Sequence, residues 1–245
     1  MLSMIDDGLF ERFDCDYIFT LHNFLVIIRI KIFLKGVFLS YSDRFKIKPT
    51  GSGGYALSPK NSKDPTLSTC HLILALQSVV TRNTVPQQSV VISVGSIIAG
   101  NEESYNIIQE QVEILLSVGI LNEDVREQTI KRIGEIIEHY SNIFGLTVKF
   151  ECYDKAGVTY NDEEATSLAW KVAGDIFGSE YCAFEHSPST ASDDLSYMVS
   201  ARKGCYAYIN NGHTAYVHNG NYVFNADLLS IAATYFARLA QEYLQ

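Results

Sequence analysis

Asp43-Arg44-Phe45-Lys46-Ile47-Lys48-Pro49-Thr50 alternates polar and apolar side chains, and Gly51, Gly53 and Gly54 follow at once, so the sequence predicts a half-buried strand ending in turn chemistry. Working toward the C-terminus, Asp64-Pro65 offers an N-cap with proline at the first helical position. Leu72, Ile73, Leu76, Val79 and Val80 then lay one apolar face along a helix over 64–82. Residues 89–98 (SVVISVGSII) and 110–120 (EQVEILLSVGI) are β-branched runs separated by a polar loop, which predicts a paired hairpin. Asn122 caps a second helix whose Val125, Ile133, Ile136, Ile137 and Tyr140 share a stripe. Gly145 ends it, and LTVKFEC at 146–152 is the next strand. The order β-α-β-β-α-β across 43–153 is the ferredoxin-like arrangement, two helices on one face of a four-stranded sheet. Outside it lie 1–42 and 154–245, the latter with helices over 162–177 and 226–244, a loop at 186–193 and a strand at 205–210. These flanks are expected to form a second domain together.

The whole chain has 245 residues, of which 47% are hydrophobic, and 19 Lys+Arg stand against 28 Asp+Glu for a net charge of −9. That is globular composition, long enough for two small domains at roughly 100–200 residues each. The acidic balance, with no basic run to offset it, argues against nucleic acid and anionic membrane as partners. Phe24–Leu39 is the most apolar stretch, yet Arg29, Lys31 and Lys35 interrupt it, so it reads as strand and not as a membrane span. Acidic Asp6, Asp7 and Glu11 precede any apolar run, the reverse of a signal peptide. Five cysteines without a CxxC pattern give neither a disulfide framework nor a zinc ribbon, and a reducing cytoplasm fits them.

Few groups carry chemistry. His71 and His139 fall on the two helices and need no role. His22 closes an apolar strand and His218 lies between Ala215-Tyr216-Val217 and Tyr222-Val223-Phe224. Both are candidate metal ligands, although no third ligand is fixed by spacing. Asp193-Asp194 suits acid–base work or a metal, but reads more simply as a helix N-terminus capped by Ser192. GSGG lacks the following GK[ST] of a phosphate loop, and no GxSxG or HExxH is present.

Several separated segments resemble one family in order along the chain: MIDDGLFERF from Met4 with YIFTLHN after it, SDRF at 42–45, GSGGYALSPK at 51–60, ALQSVVTRN at 75–83, AGNEESYNII at 99–108, SDDLSYM at 192–198, KGCYAYINNG at 203–212 and VHNGNYVFNADLL at 217–229. They are similar to the zinc amidohydrolases and aminoacylases that include hippurate hydrolase and the plant auxin-conjugate hydrolases. The resemblance implies an α/β catalytic domain, here 1–42 with 154–245, into which a ferredoxin-like lid, 43–153, is inserted, the lid also forming a homodimer contact. It implies hydrolysis of the amide bond of an N-acyl amino acid or small peptide with one or two zinc or manganese ions. His22 and His218 stand at two of the family's metal-ligand positions, and Asn106 at the asparagine that holds the substrate carboxylate.

Other family positions are changed. The histidine of the lid's GGHA is Tyr55, the arginine of GTVR is Gly119, and SEDF reads Ser192-Asp193-Asp194-Leu195. The chain starts a few residues before MIDDGLFERF, so the family's early Cys-x-His motif and its Glu pair fall outside it. Without base, further ligands or carboxylate arginine, the expectation is an N-terminally truncated amidohydrolase that does not hydrolyse amides alone. The alternatives are an active enzyme whose missing ligands come from another chain, a non-enzymatic remnant that dimerises through its lid, and an unrelated binding module.

Overall fold

Caps, apolar stripes and strand alternation become elements in the computed structural model, which describes residues 1–24, 32–33, 35–184 and 188–245. In chain order these are helices α1 (Leu2–Asp6) and α2 (Leu9–Arg12), then strands β1 (Tyr17–Phe24), β2 (Ile32–Phe33), β3 (Gly36–Leu39), β4 (Tyr41–Thr50) and β5 (Gly54–Tyr55). Helix α3 (Pro65–Arg82), strands β6 (Val90–Ala99), β7 (Ile107–Ile108) and β8 (Val112–Ile120), helix α4 (Glu123–Phe144) and strands β9 (Thr147–Ala156) and β10 (Thr159–Asn161) follow. Helix α5 (Glu163–Phe177), strand β11 (Ala183–Phe184), helix α6 (Leu195–Ala201), strand β12 (Lys203–Asn210) and helix α7 (Leu228–Tyr243) complete the chain. Residues 25–31 and 34 of the 24–39 stretch read as strand, and the start of the 186–193 loop, lie outside the described residues. The chain divides into two compact units, one of Met1–Leu39 with Gly157–Gln245, the other of Ser40–Ala156.

In the Ser40–Ala156 unit, four antiparallel strands lie in the order β6-β8-β4-β9. Alternation sends Phe45 and Ile47 of β4, Val90 and Ile92 of β6, and Val112, Ile114, Leu116, Val118 and Ile120 of β8 into one core with Leu72, Leu76 and Val79 of α3 and Ile133, Ile136 and Ile137 of α4. Both helices start as the sequence predicts. The Asp64 carboxylate accepts from the Thr66 and Leu67 amides and Asn122 Oδ1 from Val125 N, while α4 stops at Gly145 with φ +65°. The unit is wider at each end than 43–153, because β4 and β9 pair out to Ser42 and Ala156.

The GSGG run departs from its reading as a turn. Gly51, Gly53 and Gly54 have no positive φ. They are glycines because of crowding: a Cβ on Gly51 would lie 2.0 Å from the Lys63 carbonyl oxygen and 2.8 Å from Leu146 Cδ2. Ser52 pairs with Lys63 there, and Gly54-Tyr55 forms a short ribbon with Ile107-Ile108. Gly51→Ala is therefore expected to destabilise this unit by about 1–3 kcal/mol, read from its urea unfolding midpoint.

The other unit is built on β1 and β12, paired in parallel from Tyr17↔Lys203 to Phe24↔Asn210. One face packs Cys205 and Ala207 against Ala165, Ala169, Val172 and Ala173 of α5 and Tyr235 and Leu239 of α7. The opposite face packs Tyr206 and Tyr208 against Phe38, Leu39 and Leu195, with Ile18 and Phe24 beside them. Strand β10 pairs antiparallel with β3, and β2 with β11 in parallel. Asp162 caps α5 through the Glu164 and Ala165 amides.

Burial beneath α5 and α7 pushes the Cys205 thiol up from 9.0 to about 12. Folding thus favours the protonated thiol. Its contribution is complete below pH 9 and is lost as pH rises toward 12. At pH 8 an aromatic disulfide reagent should modify exposed Cys70 and spare Cys205 until the chain is unfolded, and modification of Cys205 in the native chain would refute that burial.

Candidate metal and substrate residues

His22 sits two residues before the C-terminal end of β1, half-buried in an aromatic setting. Its ring lies 6.2 Å from those of Tyr206 and Tyr208, stacked on the first and edge-on to the second, and 6.5 Å from Phe24. The Nδ1 atom is 2.7 Å from the Asn23 carbonyl oxygen. A carbonyl only accepts, so Nδ1 carries a proton, and in the neutral ring Nε2 is the nitrogen with the lone pair. A backbone carbonyl on one ring nitrogen is the usual device for fixing which nitrogen binds a metal.

The segment after β12 is tied to the same strand end. Asn211 N donates to Phe24 O at 3.0 Å, and the Asn23 side-chain amide donates to the Tyr222 hydroxyl. Asn211 Nδ2 donates to Val223 O at 2.7 Å while its Oδ1 accepts from Asn225 N at 2.9 Å. His218 rides on this tied loop, exposed, with φ +64°, the one positive φ outside glycine among the described residues. The left-handed region costs an L-residue roughly 1–2 kcal/mol, strain of the kind that collects at functional sites. Sequence reading passed over the asparagines 23 and 211 that anchor the loop. Their signal was the HN pair at 22–23 and the NNG run at 210–212 at the strand ends.

Asp193 is a structural group. Its Oδ1 accepts from Leu195 N at 2.8 Å and its Oδ2 from the Tyr206 hydroxyl at 3.2 Å. The helix N-terminus reading holds, but the N-cap position is Asp194, which makes no side-chain cap bond, and it is Asp193, not Ser192, whose side chain meets the first helical amide. Burial and the nearby Asp193 carboxylate raise Tyr206 well above the ordinary phenol range, and burial pushes Tyr208 up to about 12.

The substrate candidates lie in the Ser40–Ala156 unit. Tyr55 and Asn106 are brought together at the β5–β7 ribbon: Tyr55 pairs with Ile107, and the next residue, Ala56, donates its amide to Asn106 O at 2.9 Å. Both side chains are exposed. Gly119 is the next-to-last residue of β8, between Ser42 and Val91 on the flanking strands, on the sheet face away from the helices. On that face Glu113 receives Lys48 at 2.8 Å and Lys46 at 3.7 Å, and the Lys48 hydrogen bond holds its carboxyl below the usual range.

Zinc takes about four ligands, and two imidazoles are too few to hold it at useful affinity. Among the described residues no group of three or more His, Cys, Asp or Glu side chains gathers to hold a metal ion.

The sequence profile of Peptidase family M20/M25/M40 matches residues 1–242. The chain is 39% identical over 244 residues to the hippurate hydrolase of Campylobacter jejuni, covering 99% of this chain and 63% of that protein. It is 30% identical over 235 residues to the N-acetyl-L-cysteine deacetylase of Bacillus subtilis, covering 96% of this chain and 55% of that protein. In fold it is similar to the Bacillus subtilis YXEP protein, a dinuclear metal binding peptidase from the M20 family, with a TM-score of 0.70 at 20% identity over 98% of this chain and 60% of that one. The chain thus spans less than two thirds of the length of these relatives.

Proposed function

The chain belongs to peptidase family M20/M25/M40, and from that premise we propose that it is the substrate-holding part of a metal-dependent amidohydrolase for N-acyl amino acids of the hippurate type. The observation that carries this reading is the 39% identity to a hippurate hydrolase along 99% of the chain. Within the reading, residues 40–156 are a ferredoxin-like lid inserted into the catalytic domain, and Asn106 meets the substrate carboxylate. His22 offers Nε2, and His218 its ring, to a zinc or manganese ion completed by donors that these residues do not contain. The family chemistry needs that metal to activate water, together with a carboxylate base. Among the described residues neither a base nor a full ligand set gathers with these histidines, and on this reading the chain alone neither retains metal nor cleaves amides. With Gly119 in place of the arginine, the substrate carboxylate also lacks its bidentate partner. Five cysteines without a CxxC pattern suit a cytoplasmic setting. None of the described helices is long and apolar enough to cross a membrane.

The test is the zinc and manganese content of the dialysed chain, with release of glycine from N-benzoylglycine followed in parallel. We expect background values for both. Metal held at about one ion per chain, lost in His22→Ala and in His218→Ala together with hydrolysis, would overturn the inactivity and make the chain a complete enzyme.

A second reading, a dimerising remnant, is favoured by one observation. Strand β6 is an edge of the four-stranded sheet, and its Val91, Ile97 and Ile98 are exposed. An apolar edge without a charge or proline is a template for another strand, here the β6 of a second copy. Sedimentation of the full chain should give a dimer that Ile98→Lys with Val91→Lys converts to monomer; a monomeric unsubstituted chain would exclude it.

A further inference from the structure

We propose that Asn219-Gly220 is a self-modifying site, at which the folded chain converts an asparagine to aspartate and isoaspartate through a succinimide, while its other Asn-Gly pair, Asn211-Gly212, is held inert.

The sequence contains this dipeptide twice, at 211–212 and 219–220. When glycine follows asparagine, its amide nitrogen can close a five-membered ring on the Cγ of the preceding side chain, and no Cβ stands in the way. As dipeptides the two pairs are the same. A difference between them comes from what the fold does to the attacking nitrogen, the carboxamide and the leaving group.

At 219–220 all three are available. Asn219, Gly220 and Asn221 are exposed. Among the described residues nothing accepts from Gly220 N or from Asn219 Nδ2, so the nucleophile is open to solvent base and the departing amine to a solvent proton. The bond that the side chain does make assists the reaction: Asn219 Oδ1 accepts from Asn221 N at 2.9 Å. That oxygen takes the negative charge when Gly220 N adds to Cγ, and a backbone N–H already aimed at it is the donor an oxyanion needs. The turn is pinned around the pair, with Asn219 N donating to Tyr216 O at 3.2 Å and Tyr222 N to Asn219 O at 3.0 Å.

At 211–212 each of the three is blocked. Asn211 is 3% exposed, and its side chain is held at both ends, Nδ2 by Val223 O and Oδ1 by Asn225 N. Gly212 N donates to Asn210 Oδ1 at 2.9 Å. Attack would break the Gly212 bond and loss of ammonia the Val223 bond, with burial keeping water from replacing either.

The conversion needs only water. Gly220 N loses its proton to solvent and bonds to Cγ, and the Cγ–Nδ2 bond breaks with release of ammonia. Water then opens the ring, either at the bond from Gly220 N to Cγ, leaving aspartate, or at the bond from Gly220 N to the main-chain carbonyl carbon of residue 219, leaving isoaspartate. Both products carry a carboxylate one residue from His218. In isoaspartate the carbonyl that accepted from Tyr222 N becomes that carboxylate, and the backbone gains an atom.

The experiment incubates the full chain at mildly alkaline pH, folded and in parallel unfolded in guanidinium chloride, and follows both dipeptides by peptide mass spectrometry that separates aspartate from isoaspartate. In the folded chain we expect Asn219 to convert at least about tenfold faster than Asn211, with isoaspartate among the products, and in the unfolded chain the two rates to come within about threefold of each other. Asn219 converting no faster than Asn211 in the folded chain overturns the proposal. So does a gap that persists in guanidinium chloride, because flanking sequence and not the fold then sets it. Gly220→Ala tests the route. Gly220 has no positive φ and nothing lies within 4 Å of a Cβ built there, so the fold accepts the methyl group. Conversion of Asn219 should slow by at least about tenfold because the methyl group crowds the attacking nitrogen. An unchanged rate would mean direct hydrolysis without a ring, and that also overturns the proposal. None of these readouts depends on metal or on cleavage of N-benzoylglycine, so the hydrolase reading and this site fail separately.

Discussion

Arg126→Ala should unfold the Ser40–Ala156 unit under conditions where the unsubstituted chain is folded, with a loss of about 3–5 kcal/mol. Asp43 is 1% exposed, and the Arg126 guanidinium grips it through Nε at 2.6 Å and Nη2 at 2.8 Å. The third nitrogen, Nη1, reaches Glu123 at 2.6 Å, and the Tyr41 ring lies 5.2 Å from the guanidinium carbon. The hydrogen bond to Asp43 raises Arg126 above its already high range, so the cation persists at every accessible pH. Truncating it strands a carboxylate in the core with nothing to neutralise it. Asp43→Leu combined with Arg126→Met removes both charges together and should stay within roughly 1–2 kcal/mol of the original. Urea unfolding of the two single variants and the double variant gives the coupling. A double variant as unstable as either single one would show that packing around the pair, and not its charge balance, is what matters.

Asn161→Leu is the other substitution of comparable size. The Asn161 side chain is fully buried and stands in for a neighbouring strand: its Nδ2 donates to Tyr206 O at 2.9 Å and its Oδ1 accepts from Tyr206 N at 2.7 Å. Strand β12 is thereby closed on the side away from β1. Leucine preserves the volume but orphans one buried N–H and one buried C=O, each worth about 1–3 kcal/mol, so a loss of about 2–6 kcal/mol is expected. Hydrogen exchange at Tyr206 should rise in step with the fall in the urea midpoint. An unchanged Tyr206 amide would mean that another acceptor takes over.

Elements with signals at their own ends were legible. Asp64-Pro65, Asn122 and Gly145 mark α3 and α4 because caps are local chemistry, and alternation in 43–50 marks β4 because one sheet face is buried. Within that alternation Asp43 falls on the same face as Phe45 and Ile47, so a carboxylate at an inward position already called for a cation. Which cation was not legible, since Arg126 is 83 positions away. The glycines at 51–54 misled because a glycine chosen for close backbone approach and one chosen for positive φ look the same in a sequence. At Ser192-Asp193-Asp194 all three residue types cap helices, and only the Tyr206 hydroxyl singles out Asp193. His22 and His218 were visible as residues. That a carbonyl holds one ring nitrogen and a tied asparagine loop carries the other histidine depends on the meeting of β1 with the segment after β12, which no local pattern encodes.

The Met1–Leu39 and Gly157–Gln245 stretches make one unit around an intervening one, and Tyr243 donates to Asp16 across 227 positions of chain. On a ribosome moving at about 5–20 residues per second, β1 emerges roughly ten to forty seconds before β12 is made. The intervening unit has all its strands as soon as Ala156 has appeared and can close while β1 still waits. Strand β1 is thus made well before β12 yet finds it only after the intervening unit can close, and a nascent chain of this design depends on whatever shields Tyr17–Phe24 during that interval.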